Sequence, residues 1–136
     1  MIYETHITAR YAETDQMGII HHSVYPVWFE VGRTDLIKIL GIGYGQLEKN
    51  GVMLPLSELS CKYIKPLHYE DEVVIQTYIQ KVTFSRIQFS YKVLLDGAVM
   101  AEGSTTHGFV DSKTLRPLNM KKFNQQLFEK LLDSIE

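Results

Sequence analysis

Between Ser23 and Leu40 the apolar side chains recur at spacings of three and four, with Tyr25, Phe29, Gly32, Leu36 and Leu40 on one stripe and Val24, Trp28 and Val31 on a second. That period predicts an α-helix, and two stripes cover so much of its circumference that it must be buried on several sides. Ser23 is the expected N-cap, Pro26 falls in the first turn where it is tolerated, and Gly41 and Gly43 supply the stop. Elsewhere the period is two. Ile87, Phe89, Tyr91, Val93 and Leu95 alternate with Arg86, Gln88, Ser90 and Lys92, the pattern of a strand with one buried face. Asp96-Gly97 then predicts a tight hairpin into Ala98–Val110, because a type I′ turn needs positive φ at both central residues. Ile2–Tyr11, Met53–Ile64 and Glu72–Val82 read as three further strands. Asn119–Ile135, carrying Phe123, Leu127, Leu131 and Leu132, reads as a C-terminal helix. The expected order is strand, long apolar helix, four strands with hairpin-length connections, then a helix. This is an α+β fold with the long helix on one face of a five-stranded antiparallel sheet. Such a sheet has two edges that are costly to expose, and pairing of edges between two copies is a natural way to cover one.

A chain of 136 residues without repeats, low-complexity tracts or linkers is expected to be one domain, 1–136. Its 45% hydrophobic and 22% charged residues place it among globular rather than disordered chains. The formal net charge of −2 gives no electrostatic footprint for nucleic acid, so an anionic ligand would have to be held by local groups. No apolar run is long enough to span a bilayer and the N-terminus does not read as a signal, so a cytoplasmic location is expected. Cys61 stands alone, which excludes an intramolecular disulfide.

The chemistry gathers in Arg10-Tyr-Ala-Glu-Thr-Asp-Gln-Met-Gly-Ile-Ile-His-His-Ser-Val-Tyr25. Asp15 falls in a tight turn a few residues before the predicted helix. Helix N-termini present free N–H groups and a partial positive charge, which stabilise an oxyanion forming on a carbonyl. A carboxylate facing that point can act on a thioester. An Asp in a turn also commonly bonds only the local backbone, so the residue type alone does not decide its role. His21-His22 has no Cys/His/Asp set at ligand spacing to complete a metal site. Trp28 and Phe29 read as core, and Cys61 as a small buried apolar residue.

This stretch resembles the hotdog acyl-CoA thioesterases of the 4-hydroxybenzoyl-CoA thioesterase type, including the bacterial enzymes associated with the Tol–Pal system. The match lies in Glu13, Thr14, Asp15, Gly18, Ile19, Ile20, His22 and Tyr25, continues in Phe29-Glu30 and Arg33, and returns in Tyr63–Pro66, Asp71 and Ala101–Asp111. Two positions depart from it: His21 stands where the family usually has an aromatic, and Val24 where it often has Asn. The resemblance implies a hotdog fold, a five-stranded antiparallel sheet wrapped around the long helix. It implies that Asp15 attacks the thioester carbonyl or delivers water to it, and that the His22 backbone N–H polarises that carbonyl. Gly18 would let the turn approach the acyl chain, and Tyr25 would line its pocket. The phosphates of coenzyme A would meet Ser85 and Arg86 in the turn between two later strands, often presented by a neighbouring subunit, with Lys62 and Arg116 as further cations. Coenzyme A thiolate leaves readily, so no cofactor or metal is expected. The implied partners are acyl-CoA or an acyl carrier protein thioester and further copies of the chain, as a dimer or tetramer, with the tetramer favoured. Two other functions are open. One is a hotdog hydratase or dehydratase, whose His-Phe-Pro and Gly-Asp-x-Asn-Pro motifs are absent here; the other is a non-catalytic acyl-thioester-binding protein.

Overall fold

The long apolar helix forms over Val24–Ile39 (α1) and lies across one face of an antiparallel sheet in a computed structural model that describes residues 1–136. The sheet strands are β1 (Ile2–Thr8), β3 (Leu56–Tyr63), β4 (Glu72–Val82), β5 (Arg86–Leu95) and β6 (Ala98–Gly108). They run in the order β1-β4-β5-β6-β3, with every neighbouring pair antiparallel. A short ribbon pairs β2 (Val52–Met53) with β7 (Val110–Asp111). The remaining helices are α2 (Tyr44–Lys49), α3 (Met120–Phe123) and α4 (Gln125–Asp133). This is the hotdog arrangement, with the helix as filling and the sheet as wrapping.

Helix and sheet approach closely because both present glycine where they meet. Tyr25, Trp28, Phe29, Leu36 and Ile37 of α1 are buried against Ile75, Ile79, Phe89, Tyr91 and Ala101. The Phe29 ring stacks on Tyr91 with centroids 4.4 Å apart and planes 6° from parallel. A Cβ at Gly103 would come within 2.6 Å of that Phe29 ring, and one at Gly32 would fall on the Thr77 side chain. The alternation in β5 appears as expected, with Ile87, Phe89, Tyr91 and Val93 all buried. Asp96 and Gly97 have φ of +49° and +82°, as the predicted hairpin requires.

Several expected boundaries and connections differ. The first strand stops at Thr8 rather than Tyr11, because Tyr11–Glu13 winds into one 3₁₀ turn. Met53–Ile64 is not continuous: β2 ends before Leu54-Pro55, and Pro55 has no N–H for a ladder. The connections are not all hairpins, since β3 pairs with β6 at the far edge and Ile64–Asp71 must cross to β4. Ser23 occupies the N-cap position of α1 without capping it; its hydroxyl pairs with His21 Nδ1 at 2.8 Å. The C-terminal helix is two helices. Asn124, extended at φ −151°, ends α3 and caps α4 through Leu127 N, while Asn119 caps α3 through Lys122 N.

The β3 edge carries exposed Leu56, Leu59 and Tyr63, and α1 adds exposed Val27 and Val31. On the opposite edge the chain ends where β1 begins: Ile135 bridges to Ile79, and the Glu136 carboxylate pairs with the Met1 amino group.

Candidate active site

Asp15 lies in a hairpin-like turn closed by the Thr14–Ile20 bridge, with Asp15 N donating to Ile19 O at 2.8 Å and Gly18 N to Asp15 O at 3.0 Å. Gly18 completes the turn at φ +80°; nothing lies within 4 Å of where its Cβ would stand, so the backbone conformation, not intrachain crowding, requires glycine. One carboxylate oxygen does the expected turn work: Oδ1 accepts from Met17 N at 2.8 Å and, at a longer 3.4 Å, from Ile19 N. The other oxygen, Oδ2, has no hydrogen-bond partner in the chain, which leaves it available for a substrate or a water.

The turn is fastened to the rest of the fold at four places. Ile20 N donates to Leu67 O and His21 N to Glu13 O, both at 2.8 Å, and Ile19 bridges to His68. The Glu13 side chain supplies the fourth. It is the sole acidic side chain among the buried residues; Oε2 accepts from Trp28 Nε1 at 3.1 Å, Oε1 accepts from Arg10 N at 2.8 Å, and the Arg10 guanidinium lies 3.5 Å away. The carboxylate thus joins the segment leading to Asp15 to the first turns of α1.

His22 sits where the chain enters α1. Its carbonyl accepts from the Tyr63 hydroxyl at 2.9 Å, while its N–H finds no acceptor in the chain. That combination holds the peptide and leaves its amide for an incoming oxygen. The His22 side chain is exposed and stacks on His21 at 4.2 Å. Tyr25, one turn on, is buried edge-to-face against Tyr63 at 4.9 Å; burial pushes its hydroxyl up to about 12.

The remaining candidates lie elsewhere. Lys62 is on the outer face of the sheet opposite Glu102, in a polar groove with Ser60, Lys92 and Ser104. Ser85 and Arg86 belong to the β4–β5 turn, where Arg86 shares a groove of about 210 Å³ with Lys81, Thr83 and Glu58 and no apolar residue. This turn is at the end of β4 remote from Asp15, whose turn is tied to the segment preceding Glu72. Eleven residues of β4 at roughly 3.3 Å each put the two on the order of 30 Å apart.

An apolar cavity of about 460 Å³, lined by Tyr44, Val52, Met53, Leu54, Val110 and Leu115 among others, lies near the start of β3, again away from Asp15 in the same chain. Behind it runs a buried polar chain that sequence reasoning missed. Arg33 donates through Nε to the Tyr44 hydroxyl (3.1 Å) and through Nη1 to that of Tyr91 (3.5 Å); Tyr91 pairs with Thr105, Thr105 with His107 Nε2 (2.9 Å), and His107 Nδ1 with Leu54 O (3.1 Å). Burial, and secondarily the Arg33 charge, lower His107 to about 4, so it is neutral near pH 7. The carbonyl of Leu54 can only accept, so the proton is on Nδ1 and the bonds run in one direction from Arg33 to Leu54. The available signal was the period of β6, which puts Thr105 and His107 on the inward face with Ala101 and Gly103.

With this geometry in place, comparison with known proteins is consistent throughout. A family model of the thioesterase-like superfamily matches residues 9–128. The Putative acyl-CoA thioesterase YneP of Bacillus subtilis is 40% identical over 117 residues, 85% of each chain. The DHNA-CoA thioesterase structure from Staphylococcus aureus superposes with a TM-score of 0.91 at 33% identity, covering 97% of this chain and 89% of that one. A hypothetical protein from Thermus thermophilus gives 0.89 at 31% identity, covering 100% and 99%. The chain belongs to the thioesterase-like superfamily and is a thioester hydrolase of the hotdog fold.

Proposed function

We propose that the protein hydrolyses acyl-coenzyme A thioesters, with Asp15 as the catalytic carboxylate and the His22 amide as the oxyanion donor. The observation that carries this reading is the pairing of two unsatisfied groups, Asp15 Oδ2 and the His22 N–H, on one fastened segment at the start of α1. The thioester carbonyl oxygen accepts from the His22 amide, and negative charge on the tetrahedral intermediate is met there by the positive end of the helix. Direct attack and delivery of water both use the same free Asp15 oxygen. Collapse of the intermediate breaks the C–S bond and releases coenzyme A thiolate. The acidic Thr14-Asp15 motif with its following glycine supports placing the chain near the 4-hydroxybenzoyl-CoA type within the superfamily.

The working unit in this reading is a homo-oligomer built on a dimer. Asp15 and the Arg86 groove lie too far apart for one chain to present both to the same coenzyme A. Antiparallel pairing of two β3 edges through Leu56, Leu59 and Tyr63 would set the Arg86 end of one copy beside the Asp15 end of the other. The same pairing would bring the apolar cavity of one copy toward the partner's carboxylate, making it the acyl pocket. The absence of any helix long and apolar enough to cross a membrane and the lone Cys61 go with a cytoplasmic enzyme.

The test is release of free thiol from a panel of aliphatic and aromatic acyl-CoAs by the wild type and Asp15→Asn. Hydrolysis that depends on Asp15 supports the assignment; equal rates in the two proteins overturn it.

A further inference from the structure

The amide proposed to meet the thioester oxygen is aimed by the peptides on either side of His22. A peptide is planar and trans, so the His22 N–H points away from the His21 carbonyl, and that carbonyl accepts from Val24 N at 3.0 Å. His21 N donates to Glu13 O at 2.8 Å, and Ser23 N to His21 Nδ1 at 3.1 Å. All of these bonds lie within residues 13–24. The peptide after His22 is held differently. Its carbonyl accepts from the Tyr63 hydroxyl, which comes from β3, forty-one residues further along the chain.

The sequence leaves that carbonyl open to an outside donor. Ser23 has helical dihedrals, φ −71° and ψ −13°, so the helical path already includes it, and the His22 carbonyl stands where the N–H of residue 26 would close the first turn. Residue 26 is proline and has no N–H to give. A main-chain carbonyl must still find a donor, and Tyr63 meets this one at 2.9 Å. The Tyr63 ring is itself placed by Tyr25, edge-to-face at 4.9 Å; Tyr25 packs on Trp28 at 5.5 Å, and Trp28 donates to Glu13. The path from the His22 carbonyl through these aromatic rings thus returns to the segment that carries Asp15.

We propose that Tyr63 is a positioning residue for the hydrolysis: its hydroxyl, bonded to the carbonyl that Pro26 leaves open, fixes the direction of the His22 N–H. This rests on the Asp15–His22 reading and adds to it a residue of the sheet that touches no reacting atom. Rotation about the two single bonds of His22 would swing the amide away from the thioester oxygen, and Tyr63 restrains the peptide on the far side of those bonds. The effect falls where the oxyanion forms, in the transition state, more than on binding of the substrate.

Tyr63→Phe removes the hydroxyl and keeps the ring against Tyr25. Its kcat should fall about tenfold, less than the cost of losing an oxyanion donor outright, while KM changes by less than about twofold. Tyr63→Phe combined with Pro26→Ala returns a donor to the same carbonyl, the backbone N–H at position 26, and should recover most of the lost kcat. An unchanged kcat in Tyr63→Phe, a loss carried by KM, or a loss that the double variant does not relieve overturns the proposal. The His22 amide resonance of isotope-labelled protein reads the tether without turnover. It should move in Tyr63→Phe and return toward its wild-type position in the double variant; a resonance that stays in place overturns the proposal. A wild type that cleaves no thioester overturns the hydrolase reading, and the resonance still decides the tether.

Discussion

The indole N–H of Trp28 donates to the buried carboxylate of Glu13 across 3.1 Å, and this bond fastens the segment leading to Asp15 to the helix whose start carries the His22 amide. The spacing of the Asp15 carboxylate and the His22 amide is therefore set inside the core. Glu13→Ala would leave Trp28 Nε1 and Arg10 N without acceptors, at about 1–3 kcal/mol for each group left unsatisfied. The expected result is a melting temperature lower by several degrees and a fall in kcat. Glu13→Gln keeps one acceptor oxygen but turns its NH2 toward the other of the two N–H donors, Trp28 Nε1 and Arg10 N, so it should recover only part of each loss, as thermal melts run beside steady-state kinetics would show.

Asp15→Asn keeps an oxygen to accept from Met17 N and so should keep the turn. Loss of the carboxylate alone should cost about 10²–10⁴-fold in kcat, with an unchanged circular dichroism spectrum and melting temperature.

If Asp15 of one copy serves the coenzyme A held by the other, two inactive proteins can repair each other. Mixing Asp15→Asn with Arg86→Ala subunits, after reversible dissociation, should regenerate one competent site in each hybrid dimer. Activity in the mixture well above that of both parents is the expected outcome; no gain despite demonstrated subunit exchange would place both residues on the same site of one chain.

Thr77 carries a buried hydroxyl without a hydrogen-bond partner, against the backbone of Gly32. Thr77→Val removes that unsatisfied group at nearly the same shape. It should stabilise the fold by about 1 kcal/mol, which is the lower end of the cost of such a group and is readable in a denaturant titration.

His107 sets an acid limit on stability. Its folded value of about 4 lies below the ordinary 6.5, so the unfolded chain binds the proton more readily. The sign follows: this contribution is fully present above about pH 6.5, declines as pH falls toward 4, and is exhausted below that. Unfolding free energy measured from pH 7 to pH 4 should carry this slope, and His107→Asn should flatten it.

The elements and the candidate site segment could be read from sequence where the deciding interactions are local. The period of α1, the alternation of β5 and the Asp96-Gly97 turn each depend on neighbours a few residues away. Asp15, Gly18 and His22 fall within eight positions of one another, so their pattern survives in the linear chain. Strand order did not, because β3 pairs with β6, about forty residues later, and an edge strand with both faces largely exposed gives little alternation. Glu13 was visible in the motif, but its bond to Trp28 appears only after the intervening turn closes. His107 drew no notice for the same reason: its partners Leu54 and Thr105 come from different strands or their connections. The split of the last helix was hidden at Asn124, whose capping role competes with the apolar period running through it.

The glycines at 32 and 103 act as a keyway. Helix and sheet meet where neither side has room for a methyl group: Phe29 lies flat on Tyr91 and against Gly103, and Thr77 sits against Gly32. A key seated this way resists sliding along the sheet and rotation about its own axis. The placement of the His22 amide at the head of α1 is therefore machined further along the helix, by two glycines that lie outside the candidate site.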